Sequence, residues 1–317
     1  MQTADRAMAI WSKYREALIL LSFLRAAERR RRRESGWARE HSSSFTERHE
    51  LLPSRAPDLL SESVVDLEGK TVLITGAARG LGAAMAAKLA DCGAALALVD
   101  LTEDSLDETR GACEGNAASV RAYAADVANE SAVIDVYGRV ARDFGRLDAS
   151  IANAGILRDG LLVKFKDGSQ VGGMSLEDWQ AVIDVNLTGV FLCGREAATH
   201  MIALGNGGCI VNISSISRHG NFGQSNYSAA KAGVAALATV WSKELARYGI
   251  RANAIAPGFI KTDILASMPD EVLQKTLAAV PAGRPGRPDE VADAVAFVLC
   301  NDYVNGRVIE LDGGLRI

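Results

Sequence analysis

From residue 67 onward, short apolar runs rich in β-branched residues alternate with Ala-rich segments whose apolar positions recur at helical spacing. The runs at 71–75, 95–99, 120–124, 147–152, 209–213, 251–256 and 307–310 are predicted strands. Helices are predicted over 80–92, 130–144, 176–202, 224–248 and 289–299. Strand runs that are apolar throughout, rather than alternating, imply cover on both faces, hence parallel pairing with right-handed crossovers. The expected fold class is therefore α/β: a doubly wound parallel sheet of about seven strands in a single domain over 67–317.

One segment breaks the alternation. Residues 161–174 (LLVKFKDGSQVGGM) vary with period two about Asp167-Gly168, the signature of a small hairpin. Ser175, with Asp178 three positions on, has the spacing of an N-cap that restarts the helix. Met174, Trp179 and Trp241 are expected to pack, and His219 to be an exposed loop histidine.

Charge separates a leader from the body. Residues 1–55 carry 12 Lys and Arg against 7 Asp and Glu, whereas the remainder carries 23 against 32. The leader's apolar run, 17–24, is too short to span a bilayer and is followed by the arginine block 29–33. Residues 1–66 are expected to be a disordered extension or an over-extended start.

Composition narrows the function classes. With 48% hydrophobic and 23% charged residues the chain is an ordinary globular protein. A net charge of -4 argues against general nucleic-acid binding. Five cysteines without CxxC pairs and four histidines indicate neither a disulfide framework nor a metal site, and fit reduced thiols in a cytoplasmic setting.

The first candidate chemistry is a glycine loop. TGAARGLG, residues 75–82, lies between a predicted strand and a predicted helix. Glycines there let the backbone turn and approach a pyrophosphate at the helix N-terminus. Gly76, Arg79, Gly80, Leu81 and Gly82 are its candidate cofactor-binding residues. Asp100, 18 residues beyond Gly82, ends the second strand, where a carboxylate accepts from ribose hydroxyls and repels a 2'-phosphate. This favours NAD(H) over NADP(H), although Arg79 could pair with a 2'-phosphate and keeps NADP(H) open.

The second is a tyrosine and a lysine at i, i+4, Tyr227 and Lys231, on one helix face. A phenol titrates near ~10, and a neighbouring cation is expected to bring it towards the working range. Ser214-Ser215 follows a predicted strand and supplies a hydroxyl for a substrate carbonyl. Asn153-Ala154-Gly155 ends another strand, and Asn186 sits in mid-helix, an unfavourable place for an amide unless it has a local task.

Taken together, TGAARGLG, NAG (153–155), VNLTG (185–189), SS followed by YSAAK (227–231), and PGFIKT (257–262) resemble the short-chain dehydrogenase/reductase family, in its order, over 67–317. The resemblance implies a Rossmann-type subunit, a homotetramer or homodimer, that transfers hydride between nicotinamide and a carbonyl or secondary alcohol. It implies that Tyr227 is the general acid/base, that Lys231 lowers its pKa and holds the nicotinamide ribose, and that Asn186 orients a proton-relay water. By motif Ser215 is the carbonyl-orienting serine, but it lies twelve residues before Tyr227, one fewer than is common in the family, so Ser214 remains its rival. The same resemblance gives Asp126 and Val127 to the adenine, Asn153 and Gly155 to the cofactor's flank, and Pro257, Gly258, Ile260 and Thr262 to the nicotinamide amide.

GNFGQSNYSAAKAG, RDGLLVK and GRVIELDGGLRI are most similar to the 3-oxoacyl-[acyl-carrier-protein] reductase branch. That branch implies an acyl thioester on a carrier protein or CoA as substrate, and usually NADPH, against which Asp100 stands. An NAD-dependent dehydrogenase of another alcohol or hydroxyacyl substrate, and a non-catalytic nicotinamide-binding protein, are the other readings.

Overall fold

The computed structural model describes residues 65–262 and 277–316. The leader expected over 1–66 lies outside the described residues but for its last two.

Seven strands form one parallel sheet: β1 (Thr71–Thr75), β2 (Ala95–Asp100), β3 (Ser119–Ala124), β4 (Ala149–Ala152), β7 (Gly208–Ile213), β8 (Ile250–Pro257) and β9 (Val308–Leu311). Their spatial order is β3-β2-β1-β4-β7-β8-β9. The order reverses between β1 and β4, and a crevice opens at such a point beyond the strand carboxyl ends.

Helices α1 (Gly80–Asp91), α2 (Asp107–Cys113), α3 (Glu130–Phe144), α4 (Leu176–Ile183), α5 (Gly189–Leu204), α6 (Ser225–Glu244) and α7 (Pro288–Cys300) flank the sheet. Alternation along β1 shows the two layers. Val72 and Ile74 pack with Met85 and Leu89 of α1 and Val295 of α7. Leu73 enters the opposite cluster with Val136 of α3, Cys193 of α5 and Trp241 of α6. All are buried, and each large side chain withdrawn from water contributes about 1.5–3 kcal/mol. The expected packing of Trp241 is met on Gly194, where a Cβ would come within 2.3 Å of the indole.

Local signals account for most boundaries. Asn129 caps α3 by accepting from Ala132 N, and Gly145, at φ 67°, ends it. The hairpin forms as β5 (Lys164–Lys166) and β6 (Ser169–Gly172), turning through Asp167 and Gly168, both at positive φ. Ser175 Oγ accepts from Asp178 N at 3.0 Å, as its spacing predicts.

Two expectations are corrected. The single helix over 176–202 is interrupted by a π-helical turn, Asp184–Thr188, because Asn186 turns inward to bond the loop after β4. Helix α2 was not predicted, since its seven residues are too few to show a period. Among the described residues, no helix is long and apolar enough to cross a membrane.

Candidate active site

Every candidate residue lies on α1, α6, the π-helical turn, the last residue of a strand or the segment that leaves a strand at its carboxyl end. The glycine loop comes first. Gly76 has φ +64°, and a Cβ on it would fall 2.8 Å from Ala154 Cα, while one on Gly82 would fall 2.0 Å from the Gly76 carbonyl oxygen. Only glycine fits at either position. The N-cap side chain, Arg79, makes no capping bond to the first turn of α1, and N–H groups at such a helix start suit an anion. Among the described residues a Cβ on Gly80, at φ +57°, would meet only the Thr262 methyl, at 3.8 Å, which also brings the segment after β8 up to the loop. Such a cradle, lined by backbone donors and closed to side chains, fits a pyrophosphate.

The loop is braced from three sides. Asp100 accepts from Ala78 N at 3.0 Å and from Leu101 N at 2.8 Å. The Thr109 hydroxyl donates to the Ala78 carbonyl at 3.1 Å. The Asn153 amide donates to the Thr75 and Gly76 carbonyls, both at 3.0 Å, and Thr75 Oγ1 accepts from Asn153 N and Ala154 N. Arg79 is exposed on the loop, whereas Leu81, in the first turn of α1, is half-buried against the core.

On α6, Lys231 is buried, donates from Nζ to the Ile213 carbonyl at 2.8 Å, and lies 5.5 Å from the centre of the Tyr227 ring. The paired serines diverge because successive strand-end side chains point to opposite sides. Ser214 is buried, and its hydroxyl donates to the Lys231 carbonyl at 2.8 Å. Ser215 is half-buried, its hydroxyl acts on the Tyr227 phenol, and it accepts from Ser217 N at 3.1 Å.

Burial governs the electrostatics. It pushes the Tyr227 phenol up to about 12; the Asp159 carboxylate adds to the rise, and the Ser215 side chain opposes it. Burial also brings Lys231 down to about 8. The phenol is thus raised where a lowering was expected: burial dominates, and the Lys231 ammonium is turned to the Ile213 carbonyl.

Asn186 is fully buried in the π-helical turn. Its Oδ1 accepts from Ile156 N at 2.8 Å and its Nδ2 donates to the Ile156 carbonyl at 3.0 Å, so the side chain straps the segment after β4. It also lies against Gly155, where a Cβ would be 3.5 Å from the amide. Ser215, Tyr227 and Lys231 thus form one group, joined to Asn186 through neighbouring loops. Asp126 and Val127 stand apart beyond β3. Asp126 is exposed and accepts from Ala128 N, and Val127 is buried against Gly189. Pro257 ends β8, Gly258 N donates to the Leu311 carbonyl, and buried Ile260 leads to Thr262.

Several participants carry no recognisable motif. Gln224 Nε2 donates to Asp159 Oδ2 at 2.9 Å, tying the segment after β4 to the start of α6. Arg218 and His219 both reach Glu310 of β9, at 2.6 and 2.9 Å, so His219 anchors the segment after Ser215 as well as being exposed.

The family model described as enoyl-(acyl carrier protein) reductase matches residues 76–316. The chain is 42% identical over 254 residues to a 3-oxoacyl-[acyl-carrier-protein] reductase, FabG, of Thermotoga maritima, covering 79% of this chain and 99% of the relative. It is 38% identical to a (3R)-3-hydroxyacyl-CoA dehydrogenase of Canis lupus familiaris, covering 80% and 98%. A crystal structure of a short-chain type dehydrogenase/reductase from Mycobacterium marinum superposes with a TM-score of 0.72 at 31% identity, over 78% of this chain and 96% of that one.

Proposed function

The chain belongs to the short-chain dehydrogenase/reductase family of NAD(P)-dependent oxidoreductases, and on that premise we propose that it interconverts 3-oxoacyl and 3-hydroxyacyl thioesters. The names of the reductase and dehydrogenase relatives support this substrate class. The observation that carries the reading is the buried Lys231 ammonium 5.5 Å from the centre of the Tyr227 ring, with the Ser215 side chain acting on the same phenol.

In the proposed reaction Ser215 donates to the substrate carbonyl and orients it, while Tyr227 passes a proton to the carbonyl oxygen. A phenol pushed up to about 12 is protonated at neutral pH, which suits the reducing direction. In the oxidising direction Tyr227 takes the hydroxyl proton, and the Lys231 ammonium stabilises the phenolate. Ser214, with its hydroxyl held by the Lys231 carbonyl, supports the helix and leaves Ser215 as the substrate-facing serine. Asn186 acts as a positioning residue through its bonds to Ile156 and keeps the relay-water role implied by the resemblance.

The cofactor is a nicotinamide dinucleotide, which when bound supplies or accepts the hydride. The backbone of residues 76–82 would hold its pyrophosphate, with Asp126 and Val127 towards the adenine, Asn153 and Gly155 along its flank, Tyr227 and Lys231 at the ribose, and Pro257, Gly258, Ile260 and Thr262 at the amide. Asp100 supports NAD(H), because its carboxylate stands at the end of β2 against the loop, where a 2'-phosphate would meet like charge. Second copies of the chain, in a dimer or tetramer, complete the proposal. Five free cysteines support a reducing, cytoplasmic setting.

The test is the nicotinamide absorbance change with an acetoacetyl thioester, run separately with NADH and NADPH. Turnover, faster with NADH and lost in Tyr227→Phe while nucleotide binding persists, is the expected result. Nucleotide binding without turnover of any 3-oxoacyl thioester would overturn the substrate assignment.

A further inference from the structure

The segment after β4, residues 156–160, is held along its length by the elements that carry the site. Asn186 takes both backbone polar groups of Ile156, Gln224 Nε2 donates to Asp159 Oδ2 at 2.9 Å, and Gly160 N donates to the Gly223 carbonyl at 2.8 Å. The bond between these comes from Asn226, the residue before Tyr227, which donates from Nδ2 to the Arg158 carbonyl at 2.9 Å. Asn226 has no part in the chemistry above.

Asn226 sits in the first turn of α6, where N–H groups lack helical partners and an asparagine is mildly unfavourable unless it bonds locally. It is fully buried and bonds on every side. Its Oδ1 accepts from Tyr227 N at 2.8 Å, and Nδ2 donates a second time, to the Asp178 carbonyl of α4 at 3.1 Å. One amide thus joins the Tyr227 backbone, the peptide that leads into Asp159, and the first turn of α4. Gln224 is fixed in turn, its Oε1 accepting from Asn221 Nδ2 at 3.0 Å. Asp159 is therefore gripped twice, through its backbone by Asn226 and through its carboxylate by Gln224.

The groups around the Tyr227 phenol come from three elements: Ser215 after β7 and Asp159 after β4, which act on it beside burial, and Lys231 of α6, 5.5 Å from its ring. The neighbouring charges are engaged elsewhere. Asp178 accepts from the Ser175 hydroxyl at 2.8 Å, and the Arg158 guanidinium donates to the Leu157 carbonyl at 3.0 Å. Asp159 is thus the anion whose distance from the phenol matters, since a charge acts more weakly the farther it stands.

We propose that Asn226 is a positioning residue for the reaction: by tying the backbones of Tyr227 and Asp159 to one buried amide, it fixes the Asp159 carboxylate relative to the Tyr227 hydroxyl. The inference rests on the reading of Tyr227 as the acid/base. Without the amide, Tyr227 N and two carbonyls lose a buried partner, and Gln224 alone holds Asp159 to α6.

The experiment compares the full-length protein with Asn226→Ala, Asp159→Asn and the double variant carrying both. Asn226→Ala should lower kcat on the order of tenfold or more, because a small misplacement of a reacting group is costly, while the nucleotide KM stays unchanged. It should also move the alkaline rise in alcohol oxidation to lower pH, in the same direction as Asp159→Asn. In the double variant the profile should move no further than in Asp159→Asn, since the charge is already gone. Asn226→Ser, whose hydroxyl is too short to span both carbonyls, carries the same expectations where the alanine variant does not fold. A slower Asn226→Ala with an unmoved profile would overturn the proposal, as would displacements that add in the double variant or a profile that Asp159→Asn leaves in place. Crystal structures of the parent and Asn226→Ala give a readout independent of turnover: the Asp159 carboxylate should move relative to the Tyr227 hydroxyl. Full activity in Tyr227→Phe would defeat the reading of the tyrosine, whereas an unmoved Asp159 defeats the role of Asn226.

Discussion

The Lys231 ammonium lies 5.5 Å from the centre of the Tyr227 ring, on the same face of α6, and gives its short hydrogen bond to the Ile213 carbonyl, 2.8 Å away. Tyrosine and lysine are therefore neighbours in space. Burial acts on the two in opposite senses, holding the phenol neutral and easing the ammonium towards deprotonation.

That burial makes the lysine costly to the fold. In the unfolded chain Lys231 titrates near its ordinary 10.5, and in the folded protein at about 8, so between these values the unfolded state binds more protons and the lysine's contribution to stability rises with pH. Below about 8 both states are charged and the full penalty applies. Nucleotide-free Lys231→Met should be more stable than the parent at pH 7, by about 1–2 kcal/mol, with an advantage that shrinks towards pH 10. Urea unfolding across this range checks it, and activity should be lost at every pH.

The two serines should separate cleanly. Ser215→Ala removes the hydroxyl that acts on Tyr227 and the acceptor for Ser217 N, and should lower kcat by about 10²-fold at a cost of about 1 kcal/mol of stability. Ser214→Ala removes a buried bond to the Lys231 carbonyl and should cost about 1 kcal/mol of stability with a far smaller effect on kcat. Steady-state kinetics on both variants decide the assignment, with denaturant midpoints showing that each still folds.

Asp159 raises the Tyr227 pKa through its charge. Asp159→Asn keeps an acceptor for Gln224 while removing that charge, so the alkaline rise in alcohol oxidation should move to lower pH. A purely structural role would reduce the rate without moving the profile.

Asp100→Ser removes the carboxylate at the end of β2. The ratio of kcat/KM for NADPH to that for NADH should rise by about tenfold or more, because like-charge repulsion with a 2'-phosphate is relieved. Kinetics with both nucleotides measure it, together with a thermal scan for the weakened bond to Ala78 N.

Local chemistry made much of the protein legible in its sequence. The strand 71–75 and the helix 130–144 have their predicted bounds, since an unbroken apolar run, an Asn cap and a terminal glycine act within a few residues. The Asp167-Gly168 turn, the glycine loop and the i, i+4 spacing of Tyr227 and Lys231 are local in the same sense. Other features depend on parts of the chain that only folding brings together. Asp159 meets Gln224 across 65 positions, and no spacing rule joins them. The serines look alike in sequence, and the strand end alone sends one to the helix backbone and the other to the phenol. The π-helical turn follows from Asn186 finding Ile156 thirty positions away. The Tyr227 shift is the plainest case: an adjacent cation suggests a lowered pKa, whereas the tertiary structure raises it, because desolvation is set by everything packed around a group and not by its neighbour on the helix.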